Sequence, residues 1–71
     1  MTGFRFPQPR WVARNDTFQA AVEFEGKTYV MGGPELRLAD AEAAARVIVA
    51  ELVRDARHTI LRAFSGREIV E

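Results

Sequence analysis

The stretch that decides the fold is TFQAAVEFEGKTYVM, Thr17–Met31. Apolar and polar residues alternate on both sides of Glu25–Gly26, a dipeptide that suits a two-residue hairpin turn because glycine accepts positive φ. A turn at this place predicts three cross-strand pairs: Phe24 with Lys27, Val22 with Tyr29, and Ala20 with Met31. We therefore expect two antiparallel strands, the second of which ends at the glycines of GGP, residues 32–34.

A second hairpin is predicted just upstream, where RWVAR, Arg10–Arg14, is followed by the turn dipeptide Asn15–Asp16. This turn pairs Arg14 with Thr17, Ala13 with Phe18, and Trp11 with Ala20. Both turns place the large apolar side chains on one face: Trp11, Ala13, Phe18, Ala20, Val22, Phe24, Tyr29 and Met31. Because a slip of one residue in either hairpin would mix the two faces, the pattern predicts a three-stranded meander over residues 10–31.

The opposite face of this sheet is mainly polar but has an apolar centre. Its predicted contact residues for a partner or for nucleic acid are Arg10, Val12, Arg14, Ala21 and Val30. An outward pair of arginines can contact phosphates or carboxylates. An ordinary solvated face, with edge-strand charges that discourage strand pairing, is the alternative.

A long amphipathic helix is predicted over residues 39–64, with Asp40 as its N-cap and a stop at Ser65–Gly66. Such a helix spans roughly 37 Å, about twice the length of a five-residue strand. Its far half must therefore either break near Asp55–His58 or pack on another subunit. We favour the second, with an oligomer interface formed by Leu52, Ala56, Ile60, Ala63 and Phe64. The tail, residues 65–71, could add a short strand to that interface.

The predicted architecture is a single α+β domain over residues 1–71, a three-stranded antiparallel meander followed by one long C-terminal helix (βββα). Residues 1–9 are expected to form an N-terminal arm, since Pro7 and Pro9 prevent regular strand pairing. The arm could be a short edge strand or an extended segment laid over a neighbour. A chain of 71 residues buries only about 60% of its unfolded surface. Self-association, as a homodimer or a larger homo-oligomer, is one way to compensate for so small a core.

Composition excludes several kinds of chemistry. There is no cysteine, so the chain has neither disulfides nor thiolate metal sites, and His58 is the only histidine. Ser65 is likewise the only serine, and no nucleophile–base pair can be assembled around it. The glycines of MGGPE lack the Lys–Ser/Thr ending of a phosphate loop. We expect no enzymatic activity, no metal and no cofactor.

Net charge and hydropathy limit the kinds of partner and the cellular compartment that the sequence predicts. Ten basic and ten acidic residues give a formal net charge of zero, whereas nucleic-acid modules usually show a basic excess. No apolar run approaches the ~20 residues that span a bilayer, and the N-terminus lacks the apolar core of a secretory signal. The sequence therefore predicts a cytoplasmic protein with no membrane partner.

Two resemblances concern the order of elements. FQAAVEFEGKTYVMGGPELRLADAEAAARVIVAELV, residues 18–53, resembles the second half of double-stranded RNA-binding domains: strand, GK turn, strand, glycines, and an alanine-rich helix start. Where that family has paired lysines at the helix start, this chain has Leu38 and Ala39. RWVAR with the following strands and helix also resembles AP2 and phage integrase arm-binding domains, which place sheet residues in the DNA major groove. Arg10 and Arg14 correspond loosely to those residues, and Glu23 shares their face.

These observations predict a small non-catalytic protein-binding or regulatory module that associates with itself through its helix. Size and the Arg/Ala-rich composition are typical of bacteriophage or mobile-element accessory proteins that act on a host component. Two alternatives remain open at this stage. One is a DNA-binding module that uses Arg10 and Arg14, and the other is small-ligand binding at a subunit interface.

Overall fold

The structure is a computed structural model that describes residues 6–55 and 60–70. It is an α+β fold in which an antiparallel sheet is covered on one face by a long helix. In chain order the elements are β1 (Gln8–Arg14), β2 (Thr17–Phe24), β3 (Lys27–Glu35), α1 (Leu38–Asp55), α2 (Ile60–Phe64) and β4 (Ile69–Val70). The sheet order is β1-β2-β3-β4.

Both predicted hairpin turns are confirmed. Arg14 pairs with Thr17 and Phe24 with Lys27, so each loop has two residues. Glu25 and Gly26 have φ values of 53° and 82°, the positive pair that defines the turn type whose twist matches the strands. Asn15, at 52°, is a residue type that tolerates this region.

The end of the segment predicted as an N-terminal arm, residues 1–9, belongs to the edge strand of the sheet, which is one of the two forms expected for it. β1 begins at Gln8, and Pro9 pairs with Val22. In a two-residue hairpin the pair that closes the turn is hydrogen-bonded, and hydrogen-bonded pairs then recur at every second residue. Counting back from Arg14, Pro9 falls between them, with its nitrogen on the free side of an edge strand. A proline there removes no ladder bond.

The third strand does not end at Met31 as expected. β3 runs through both glycines to Glu35, and a bulge interrupts its register. Ala21 still pairs with Val30, but Gln19 pairs with Pro34, so β3 contains two extra residues there and the predicted Ala20–Met31 pair is absent from the register. The side-chain amide of Gln19 donates to the Gly32 carbonyl at 3.0 Å, which fixes the bulge to β2.

The core lies between the sheet and the helices, on the predicted apolar face. Buried Val22, Phe24 and Phe64 form its centre. Half-buried Tyr29, Met31, Ile48, Val49 and Leu52 pack around them. Trp11 departs from the prediction: it is 42% exposed, because β1 is the edge strand and the helix covers its side chain only in part.

Helix α1 begins two residues before the predicted N-cap. The Arg37 carbonyl accepts hydrogen bonds from the backbone N–H groups of Asp40 and Ala41, at 3.1 and 3.3 Å. Asp40 therefore lies within the first turn, where its negative charge still stabilises the helix end. Ala41 and Ala45 are fully buried and let the helix approach the sheet closely.

A single continuous helix to Phe64 is the prediction that fails most clearly. Ile48 of α1 and Ala63 of α2 line the same groove, whereas a continuous helix would separate them by about 22 Å. Helix α2 is therefore turned back towards the sheet. Phe64 is only 5% exposed and stacks on Tyr29 with a centroid distance of 4.3 Å. Residues 56–59, which include Ala56 and His58, lie outside the described residues.

The C-terminal tail adds a strand to its own sheet. β4 pairs with β3 through Thr28–Val70 and Tyr29–Ile69, and the Val30 N–H donates to the Glu68 carbonyl at 2.9 Å. The predicted three-stranded βββα order is therefore incomplete, since β3 is followed by α1, α2 and β4.

Candidate functional site

Two arginine–carboxylate pairs lie on the outer face of the sheet, the face turned away from α1. Arg10 is two residues from Gln8, the strand partner of Glu23, and its Nη2 is 2.5 Å from the Glu23 Oε1. Arg14 Nη1 donates to the Glu68 Oε1 at 2.9 Å, and its Nη2 contacts the Glu68 Oε2. This second pair is bidentate, the geometry in which a guanidinium binds a carboxylate most specifically.

The Arg14–Glu68 pair connects the two edges of the sheet. Arg14 belongs to β1, whereas Glu68 directly precedes β4 and is hydrogen-bonded to Val30 of β3. The hydrogen bond from Arg14, with a smaller contribution from its charge, holds the pKa of the Glu68 carboxyl below its usual value. The same contact raises the pKa of the Arg14 guanidinium. Both side chains are partly exposed, so the pair orders the face more than it stabilises the fold.

The five residues predicted to form a contact surface on this face differ in how far they are exposed to solvent. Ala21 is fully buried and Val30 is 8% exposed, so the expectation of an open apolar patch is wrong for these two. Val12 is half-buried. Arg10 and Arg14 do reach the surface, but each is neutralised by a carboxylate. DNA binding through these arginines stays a prediction, and the pairing leaves little positive charge for phosphates.

The residues predicted as the oligomer interface are also dispersed. Phe64 is in the core, and Ile60 is the first residue of α2. Leu52 and Ala63 are half-buried and line a groove of about 450 Å³ between α1, α2 and β3. The other residues of this groove are Met31, Ile48, Glu51, Arg62 and Arg67. Self-association through this set stays a prediction, and Phe64 is not available for it.

A smaller groove runs between the free edge of β1 and helix α1. We call it the edge groove. Its volume is about 260 Å³, and it is lined by Pro9, Arg10, Trp11, Glu42, Ala45 and Arg46. Trp11 contacts the ring of Phe18 edge-on, with centroids 5.9 Å apart, which fixes its orientation while 42% of its surface stays exposed. The volume lies below the range of about 300–1,000 Å³ that is typical of small-molecule sites and suits a single side chain.

The backbone beside the edge groove has hydrogen-bonding groups that do not pair with β2. The hairpin register directs the N–H and C=O groups of Trp11 and Ala13 away from β2, together with the carbonyl of Pro9. The Arg10 guanidinium donates to that carbonyl at 3.0 Å. Within the part of the chain that the structure describes, no backbone partner lies on this side of β1. The strand therefore presents an open edge next to an exposed aromatic ring.

Sequence reasoning missed the edge groove because it placed Trp11 in the core. The alternation of β1 does direct Trp11 to the helix side, and only the position of β1 at the sheet edge exposes it. A signal for this was present: Pro9, two residues earlier, is a residue type that sheets accept chiefly at edges.

Metal-binding clusters and membrane-spanning helices are both absent from the described residues. No group of three or more His, Cys, Asp or Glu side chains in residues 6–55 and 60–70 is placed to hold a metal ion. Among the helices described, none has the length and apolar character needed to cross a membrane.

Comparison with known proteins gave no match to any family model, curated protein or solved structure. The resemblances to RNA- and DNA-binding domains accordingly stay predictions about topology.

Proposed function

We propose that this protein is a small non-catalytic protein-binding module that accepts an extended segment of a partner protein as an additional strand beside β1. The observation that carries the proposal is the half-exposed Trp11, which lies next to unpaired backbone groups on a seven-residue edge strand. Strand addition uses main-chain hydrogen bonds for affinity and neighbouring pockets for specificity. The edge of β1 and the edge groove supply both.

The two edges of the sheet differ in their capacity for strand addition. β4 has two residues, and such short edges are one way in which proteins prevent unwanted pairing. β1 is long enough for several hydrogen bonds. Arg14 folds over the outer face to Glu68, whereas Arg10, which pairs with Glu23, also donates to the Pro9 carbonyl at the edge. The backbone groups of Trp11 and Ala13 still have no backbone partner among the described residues.

The edge groove also indicates the chemistry of the bound segment. An incoming strand that exchanges hydrogen bonds with Trp11 and Ala13 directs alternate side chains towards α1. One of them enters the groove against Trp11 and Ala45, where an apolar or aromatic side chain buries the most surface. Glu42 and Arg46 lie at the rim, where they can contact polar neighbours of that side chain.

Ala13 allows a direct test of strand addition. Extended peptides would be selected from a random library against the wild-type protein, and their dissociation constants measured by the fluorescence of Trp11, the only tryptophan. Ala13→Pro removes an N–H that points away from β2 but no bond to β2, just as Pro9 already does four residues earlier in the same strand. We expect at least a tenfold weaker affinity for Ala13→Pro and an unchanged affinity for Ala13→Ser, which keeps the N–H.

Two results would contradict the proposal. One is equal affinity of Ala13→Pro and wild type for the selected peptides. The other is a set of peptides whose binding survives both Ala13→Pro and Trp11→Ala, because such peptides bind elsewhere. Binding to Trp11→Ala, which lacks the only tryptophan, is measured by isothermal titration calorimetry. Far-UV circular dichroism of each variant shows whether the fold is retained.

A further inference from the structure

The outward side of helix α1 carries an apolar row that the sheet does not cover. At 100° per residue, Ala43, Val47 and Ala50 lie opposite the buried Ala41 and Ala45. All three are exposed, and Val47 retains 56% of its accessible surface. We call Ala43, Val47 and Ala50 the outward row. In residues 6–55 and 60–70 nothing packs on it, since α2 lies on the flank formed by Ile48, Glu51 and Leu52.

Charged residues at the two ends of this row are arranged symmetrically about Val47. Asp40 lies seven residues before Val47 and Arg54 seven residues after it, both exposed and within about 20° of the same line along the helix. Each is therefore about 10 Å from Val47 along the axis. Because one end of the row is acidic and the other basic, two copies of the row placed antiparallel bring opposite charges together at both ends.

We propose that a second copy of this chain packs on the outward row, with the two α1 helices antiparallel and related by a two-fold axis at Val47. In this arrangement Val47 contacts its own counterpart, and Asp40 of each copy faces Arg54 of the other. A two-fold axis requires one surface to complement itself, which is the property that the row has. The antiparallel orientation also sets opposite ends of the two helix dipoles side by side.

The small size of the outward row limits the affinity with which two copies can dimerise. Ala43 and Ala50 on either side of Val47 let the helix backbones approach closely. However, one face of an 18-residue helix presents fewer contacts than the roughly 20–30 residues a side of a standard interface. We therefore expect a reversible dimer that dissociates in the range of tens to hundreds of micromolar. This interface differs from the one predicted from the sequence, which used the inner side of the helix.

A charge exchange tests both the interface and its orientation. Asp40→Arg alone sets two arginines against each other at each end of the dimer, and Arg54→Asp alone sets two aspartates together. Each single variant should sediment as a monomer at about 500 µM, where the wild type forms dimers. An equimolar mixture of the two variants restores an opposite-charge pair at both ends and should form a heterodimer. The double variant D40R/R54D should again form homodimers.

Controls separate this outcome from unfolding and from general charge effects. Arg46→Asp changes an exposed cation on the same helix, about 100° away from Val47, and should leave dimerisation within a factor of three of the wild type. Circular dichroism of every variant reports the fold. A wild type that stays monomeric at 500 µM overturns the proposal, and so does a mixture that stays monomeric when the wild type dimerises. Peptide binding at β1 is measured separately on the monomeric variants, so failure of one proposal does not imply failure of the other.

Discussion

Gly32 and Gly33 are adjacent in the bulged part of β3, yet the structure predicts opposite effects when each is replaced by alanine. A Cβ atom on Gly32 would lie 2.9 Å from the Cβ of Ala20 and 3.4 Å from its backbone nitrogen. Ala20 is fully buried, and its methyl group is attached directly to the β2 backbone, so it cannot rotate away. A Cβ atom on Gly33 meets nothing within 4 Å.

The magnitudes follow from these two environments. Gly32→Ala overpacks a rigid contact, which typically lowers the free energy of unfolding by about 1–3 kcal/mol. Gly33→Ala restricts only the unfolded chain and should raise that free energy by roughly 0.4–1 kcal/mol. In a domain of this size, 1 kcal/mol shifts the melting temperature by roughly 4–8 °C. We therefore expect Gly32→Ala to melt at least about 4 °C below wild type, and Gly33→Ala at or slightly above it.

Urea unfolding, followed by Trp11 fluorescence and by circular dichroism, measures both free energies. The same experiment on A20G/G32A, compared with each single variant, isolates the contact between the two methyl groups. Ala20→Gly alone should destabilise the protein, but in the Gly32→Ala background it should cost less because it relieves the overlap. Equal effects of the two glycine substitutions, or strictly additive effects of Ala20→Gly and Gly32→Ala, would refute this reasoning.

Three further substitutions test other parts of the fold. Glu25 has a positive φ that costs a residue with a Cβ about 1 kcal/mol, so Glu25→Asn should stabilise the hairpin by up to that amount, whereas Glu25→Gln should not. Phe64→Ala should lower the free energy of unfolding by about 3–5 kcal/mol in urea titrations, because Phe64 is a buried ring stacked on Tyr29. Glu68 has a lowered pKa in the folded protein, so its pair with Arg14 contributes above the unfolded pKa and is lost as the pH falls through the folded one. Urea titrations across the acidic range should show this loss in wild type and not in Glu68→Gln.

The hairpins could be predicted because their determinants are local. Alternation with a period of two defines the faces of β2 and β3, and Glu25–Gly26 defines the register next to the turn. The prediction holds as far as Ala21 and Val30 and fails at the bulge. The bulge depends on the close approach of Gly32 to Ala20, a contact between residues of different strands that no local pattern encodes.

The helix could be predicted only in its first part. No glycine or proline interrupts residues 39–64, so propensity alone favours one continuous helix. Tertiary packing outweighs that preference: a sheet shorter than the helix leaves Phe24 and Tyr29 partly uncovered, and Phe64 covers them when α2 turns back. The free energy of burying an aromatic ring exceeds the few tenths of a kcal/mol per residue by which helix propensities differ.

The position of the candidate contact surface could not be predicted from the sequence either, because the exposure of a residue depends on how the whole sheet is assembled. Sequence spacing correctly placed Arg10, Arg14 and Glu23 on one face, but it could not show that each arginine has a carboxylate partner. The Arg14–Glu68 pair holds one cation over the outer face, whereas Arg10, paired with Glu23, also donates to the Pro9 carbonyl at the edge of β1. Trp11 stays 42% exposed, and among the described residues no backbone partner lies beside it. A variant that loses the Arg14–Glu68 pair should therefore retain strand addition at Trp11, because the pair lies on the opposite side of β1 from the edge groove.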